Sequence, residues 1–311
     1  MASWRPALAW AQPRLPRVGI LAIGRPVAAK DLQISSELAR LGYVEGRNIT
    51  YEIRAADGDL SRLPALAREL VNAKPNVLIC ATAAVAGLLG SITHDIPIII
   101  TVTADPVAFG LTDSLSRPSR NITGFTSSSP ALASKRLELL RELVPGLRRI
   151  AYLGPPAGSA YAIYEQHVRS AAKMLGAEVF FVPVDTVASV PRAFTVVDRE
   201  KGQAVMVGIN PAIVELSAHI INECLIRDLP AIHPWSYEAH AGALMSYGPT
   251  SLENHAGAAR YVDRLLKGAK VSELPFQEPT EYNLAINLRT ARSIKLNIPP
   301  TLLARANEVV E

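Results

Sequence analysis

Short apolar runs and amphipathic stretches take turns along nearly the whole chain. RVGILAI (17–23) is apolar throughout, as a strand covered on both faces must be. A helix is expected from about Lys30 to Leu41, and NITYEIRA (48–55) alternates as a second strand. In LSRLPALARELVNA (60–73), Leu63, Leu66, Leu70 and Val71 share one side of a helix. PNVLICA (75–81), a helix near Ala83 to Leu89 and IPIIITV (96–102) bring this first unit to four strands. Parallel strands with helices on both faces are the arrangement such a rhythm dictates.

After Asn121-Ile122-Thr123-Gly124 the rhythm restarts. LASKRLELLREL (132–143) reads as a helix stopped by Pro145-Gly146. RRIAYLG (148–154), AEVFFVPV (177–184), QAVMVGI (203–209) and LPAIHPW (229–235) read as strands, separated by helices at about 160–175, 190–198 and 211–227. From Ala241 to Thr280 the chain reads as a strand, a turn and the helix SLENHAGAARYVDRLLKG (251–268) leading into a Pro-interrupted extended stretch, and a last strand near Tyr282 to Leu288 and helical segments to Glu311 are left over. Leftover pieces of both kinds imply that the chain passes between two units three times. The expected fold is therefore α/β, with two doubly wound parallel-sheet lobes. Lobe one takes 17–124 plus 249–281, and lobe two takes 125–248 plus 282–311.

Length and composition agree with two cores. The chain has 311 residues, 49% of them apolar and 19% charged, which argues against disorder. No apolar run approaches the roughly 20 residues that span a bilayer, so a soluble body is expected. The formal charge of +4 is mild for this length, and no Lys/Arg block is interleaved with aromatics. Nucleic acid is not an expected partner. Cys80 and Cys224 both sit in apolar surroundings, offer no metal-ligand spacing and are expected in different lobes as small buried side chains. Residues 1–16 join no periodic pattern, and Ala9-Trp10-Ala11 fits a small-x-small cleavage site before Gln12. Arg5 and Pro6 interrupt the apolar segment a signal needs, so both a signal remnant and a plain leader fit; with no cysteine nearby, lipid attachment is not expected.

A set of blocks in fixed order carries a family likeness. They are LGYVEGRNI (41–49), LPALARELV (63–71), IPIII with ADPV (104–107), NITGF (121–125), KRLELLRELVP (135–145), LMSYGP (244–249), YVDRLLKGAK (261–270), INLRTAR (286–292) and the closing IPPTLLARANEVVE. Together they resemble the solute-binding component of bacterial ABC importers, in the branch with tryptophan and tyrosine binders. The resemblance covers about Arg17 to Glu311. It implies a fold like the type I periplasmic binding proteins, two lobes on a three-crossover hinge, with a small-molecule ligand held between them and handed to a membrane permease. It also implies a periplasmic, monomeric, non-enzymatic protein without a cofactor, and an amino acid or a small carboxylate with an aromatic or apolar body as ligand. Ser119, Arg120 and Ala243 stand where the family usually has glycine, so those turns must keep negative φ or carry strain.

Ligands of open parallel sheets gather outside the carboxyl ends of the strands. In lobe one that rule selects Gly24, Arg25, Thr82, Ala83, Thr103 and Asp105. In lobe two it selects Ser159, Tyr161, Asn210, His233 and Trp235, with Ser246 and Tyr247 near a crossover. Thr82 suits either a helix cap or a carboxylate contact, and Asp105 either a turn or an ammonium contact. Asn210 is a cap or a polar contact, Trp235 and Tyr247 are stacking or hinge residues, and His233 and Arg25 have structural and solvated readings. No Gly-x-Gly-x-x-Gly follows the first strand, and neither a Walker loop nor a nucleophile elbow occurs. A ligand-sensing regulator of the same fold and a two-domain transferase or hydrolase remain as rivals.

Overall fold

The computed structural model describes residues 15–25, 28, 32–103, 105–126, 130–154, 159–209, 213, 215–249 and 251–311, apart from the side chains of 130, 159–164 and 251–253. Five parallel strands form the first sheet: β1 (Arg17–Ala22), β2 (Thr50–Ala55), β3 (Val77–Cys80), β4 (Ile98–Thr103) and β5 (Ile122–Thr126). Seven strands form the second: β6 (Arg149–Gly154), β7 (Glu178–Pro183), β8 (Ala204–Val207), β9 (Ala231–His233), β10 (Met245–Pro249), β11 (Tyr282–Asn287) and β12 (Glu308–Val310). Their orders are β2-β1-β3-β4-β5 and β12-β11-β10-β9-β8-β6-β7. Counted within each unit, the first five strands repeat the same order, 2-1-3-4-5. The antiparallel β10–β11 pair breaks the parallel run of the second sheet.

Helices cover both faces of each sheet, which is why the strands read as unbroken apolar runs. On the first sheet α2 (Leu63–Asn72) and α3 (Ala83–Ile92) bury Leu63, Leu70, Val85 and Leu89 against Leu78, Ile98 and Ile100. The opposite face takes Ile34 and Leu38 from α1 (Gln33–Arg40). Ala258 and Val262 of α9 (Ser251–Leu266) join them, although that helix follows a strand of the second sheet. On the second sheet Leu137 and Leu140 of α4 (Pro130–Leu143) and Val168 of α5 (Ser159–Met174) pack on one face. Phe194 of α6 (Ser189–Arg199) and Ile220 and Cys224 of α7 (Ser217–Ile226) pack on the other. Shorter helices complete the unit: α8 (Ser236–His240), α10 (Leu288–Ser293) and α11 (Pro300–Leu303).

The chain therefore leaves the first sheet after Thr126, returns to it with α9, and leaves it again after Gln277 for β11. Before leaving, it is pinned along β5: Gln277 N–H donates to Gly124 O at 3.0 Å and Thr126 N–H to Gln277 O at 2.8 Å. Gly124 is needed here, since its φ is 152° and a Cβ would lie 2.1 Å from Ile100 O. Ser119, Arg120 and Ala243 stay outside the positive-φ region, so the substituted turns carry no left-handed strain.

Two expectations are corrected. The first unit has a fifth strand, β5, because NITGF pairs with β4 instead of merely ending the unit. The chain also finishes as strand β12, where helix was expected. Leu284 N–H donates to Asn307 Oδ1 at 2.9 Å and Asn307 N–H to Leu284 O at 2.8 Å, which lays Glu308–Val310 along the edge of β11. No helix among the described residues is long and apolar enough to cross a membrane.

Candidate functional site

Each sheet has a switch point where neighbouring strands send their connections to opposite faces, between β1 and β3 in the first and between β6 and β8 in the second. The two points meet. A Cβ placed on Gly24, just after β1, would lie 3.6 Å from Glu215 Oε1, in the connection after β8. Glu215 also raises the Tyr237 hydroxyl pKa, after burial and the Glu238 carboxylate, so Gly24, Glu215 and Tyr237 mark one region between the lobes. Arg25 is exposed at its rim.

Around this region the selected side chains do different things. Thr82 caps α3, its Oγ1 accepting from Val85 N–H at 3.3 Å, and Ala83 is buried behind it. Asp105 Oδ1 accepts from Val107 N–H and Ala108 N–H, both at 3.0 Å, which fixes the turn after β4. Thr103, the last residue of β4, is 3% exposed and its Oγ1 has no partner. Tyr247 stacks on Tyr282, ring centroids 5.8 Å apart and planes 18° apart, and packs toward the second lobe's core beside the crossover. Asn210 and the side chains of Ser159 and Tyr161 lie outside the described residues.

His233 and Trp235 belong to a buried network at the end of β9. The carboxylate of Glu238 in α8 is 1% exposed and accepts from Ser217 Oγ at 2.5 Å and from Trp235 N–H at 3.0 Å. His233 Nδ1 lies 3.2 Å from the same carboxylate. Burial opposes the charge on Glu238, but its bonds with His233, Ser217 and the Trp235 backbone outweigh that and hold its pKa below the ordinary carboxylate range. The imidazole is wholly buried, and Ser246, its register partner on β10, is buried too.

The unsatisfied groups fall at or near strand ends of both sheets. Among the described residues, the buried side-chain atoms without a hydrogen-bond partner belong to Thr103, Arg136, His233, Ser246, Asn254 and Asn283. Thr103 and His233 end β4 and β9, Ser246 pairs with His233, and Asn283 pairs with Gly248 near the end of β10. Asn254 lies in the first turn of α9, directly after that strand, and Arg136 donates from Nη2 to Val207 O, at the end of β8. Buried polar groups are ordinarily hydrogen-bonded, so a concentration at the strand ends of both lobes marks where a polar guest would find donors and acceptors.

Arg136, Glu215, Tyr237 and Glu238 were not selected from the sequence. Arg136 is hidden in an ordinary amphipathic helix pattern, and Glu215 gains meaning only from a contact across the lobes. Tyr237 and Glu238 follow Trp235 so closely that only the start of α8 after β9 could have pointed to them. Among the described residues no group of three or more His, Cys, Asp or Glu side chains is placed to hold a metal ion.

The family model described as ABC transporter substrate binding protein matches residues 27–310. A curated relative, the tyrosine-binding protein of Clostridioides difficile, is 25% identical over 255 residues, covering 82% of this chain and 73% of the relative. Among solved structures, a conserved domain protein from Vibrio cholerae superposes with a TM-score of 0.88 at 24% identity, covering 95% of this chain and 100% of the other. A Streptococcus pneumoniae ABC domain in complex with L-Trp gives 0.85 at 22% identity, covering 96% and 100%.

Proposed function

The chain belongs to the ABC transporter substrate-binding protein family, and from that premise we propose a receptor that closes its two lobes over an amino acid or a small carboxylate with an aromatic or apolar body. Substrate-binding proteins of ABC importers work outside the cytoplasm; we place this one in the periplasm as a monomer that presents its closed form to a membrane permease. Lobe one is taken as 17–124 plus 249–281 and lobe two as 125–248 plus 282–311, moving about the three connections. The observation that carries the reading is that unpartnered buried polar groups lie at strand ends of both lobes, together with the close approach of Gly24 to Glu215. The amino-acid class draws support from relatives whose names state tyrosine binding and an L-Trp complex.

A micromolar dissociation constant corresponds to about −8 kcal/mol, within reach of a few charge-assisted hydrogen bonds together with burial of an aromatic body. Selective affinity for the closed form shifts the population toward it, and no bond in the ligand need change. A thermal-shift screen of the amino acids and aromatic acids, followed by calorimetry, tests the ligand class. Stabilisation by aromatic amino acids at micromolar concentration is expected; stabilisation by sugars or polyamines alone would refute it.

A further inference from the structure

Arg136 is a fully buried charge with two of its three nitrogens unpartnered. Its side chain is completely buried, Nη2 donates to Val207 O and to Ile232 O at 2.6 and 3.1 Å, and Nε and Nη1 have no partner. No carboxylate of a described residue is within ion-pair distance of the guanidinium, whereas Arg149 and Arg227 each have two. A buried cation held by neutral carbonyls alone is unfavourable unless an anion completes its surroundings.

Its position says which anion. Arg136 lies midway along α4, and side chains in a helix lean toward the N-terminus, here toward the ends of β8 and β9. There it meets the last residue of β8, next to the connection whose Glu215 faces Gly24. We propose that Arg136 supplies the positive charge that selects a carboxylate-bearing ligand in the interlobe site, with its free N–H groups donating to that carboxylate in the closed form. Anchoring of Nη2 on two strand-end carbonyls leaves single rather than forked hydrogen bonds for the guest, so Arg136 sets charge preference while other groups set orientation. This inference rests on the receptor reading and adds the origin of its acid preference.

Calorimetry with L-tryptophan and L-tyrosine, and with their amides, tests it on the wild-type protein and on Arg136→Met and Arg136→Lys. The wild type should bind the acids at least about tenfold more tightly than the amides, and Arg136→Met should lose about ten- to a hundredfold for the acids and under about threefold for the amides. Arg136→Lys should recover part of the acid preference. Equal losses for acid and amide in a folded Arg136→Met protein would make the residue a strut between α4 and the ends of β8 and β9 and overturn the proposal. If Arg136→Met does not fold, the wild-type acid-to-amide ratio and Arg136→Lys decide, and a wild type indifferent to the carboxylate refutes it. Failure of the wild type to bind either acid or amide removes the receptor reading itself, and this inference with it.

Discussion

Lys74, Lys201, Asp228 and Lys295 each directly follow a helix C-cap residue, with φ of 50°, 54°, 50° and 54°. Glycine usually occupies that position, since a Cβ makes the left-handed conformation costly. Lys74→Gly, Lys201→Gly and Lys295→Gly should each stabilise the protein by about 0.5–1 kcal/mol, read from urea midpoints at unchanged m value. Gly124 presents the converse. A methyl group there meets the Ile100 carbonyl of the neighbouring strand, so Gly124→Ala should cost about 3 kcal/mol or prevent folding, as urea denaturation or soluble yield will show. Which residues would turn out to be strained or irreplaceable was not legible, because φ and interstrand distance are tertiary facts. Thr82 could be read as a cap because capping is local; Arg136 could not be read as a buried charge, because its burial depends on strands about 70 and 96 residues away.

Elements were more legible than residues. Periodicity located β1, α2, β6 and α9 to within one to three residues, since each buries a continuous face and its pattern follows from that burial. It failed for β12 and α8, three and five residues long, where packing and not pattern decides the conformation. Helix α8 is held by Glu238, whose carboxylate ties Ser217 of α7 and the Trp235 backbone together beside His233. Glu238→Gln keeps the shape but weakens charge-assisted bonds, and should destabilise by about 2–3 kcal/mol. The depressed pKa of Glu238, and that of Glu308 bonded to His240 across α8 and β12, fix the sign of the pH effect. A carboxyl whose folded pKa lies below its unfolded value contributes stability above the unfolded value, and loses it as pH falls through the folded one. Urea midpoints should therefore hold near neutrality and decline as pH drops below about 4.3, with a shallower decline in Glu238→Gln. An unchanged slope in that variant would mean that other carboxyls govern acid unfolding.

For the molecule as a whole, the repeated 2-1-3-4-5 strand order places two switch points face to face, and the Gly24–Glu215 approach reports on closure. The space at Gly24 leaves ordinary contact distance for a side chain, and its φ lies outside the positive region, so replacements there should fold. Gly24→Glu would set a second carboxylate near Glu215 across the cleft, whereas Gly24→Gln adds the same bulk without charge. Two such charges about 4 Å apart repel by about 4 kcal/mol at an effective dielectric of about 20. Glu215 is exposed, so solvent and side-chain freedom reduce this to about 1 kcal/mol. Ligand binding to Gly24→Glu should thus be about fivefold weaker than to Gly24→Gln, with the gap closing as the screening length falls from about 10 Å at 0.1 M salt to about 3 Å at 1 M. Gly24→Lys should move affinity the other way with the same salt dependence, and all three variants should keep the wild-type urea midpoint without ligand, since none touches either core. Because the charge pair forms where the two lobes approach, this pattern would tie ligand affinity to their meeting. Equal affinities for the Glu, Gln and Lys variants at low salt would show that the ligand-bound molecule does not bring Gly24 and Glu215 together.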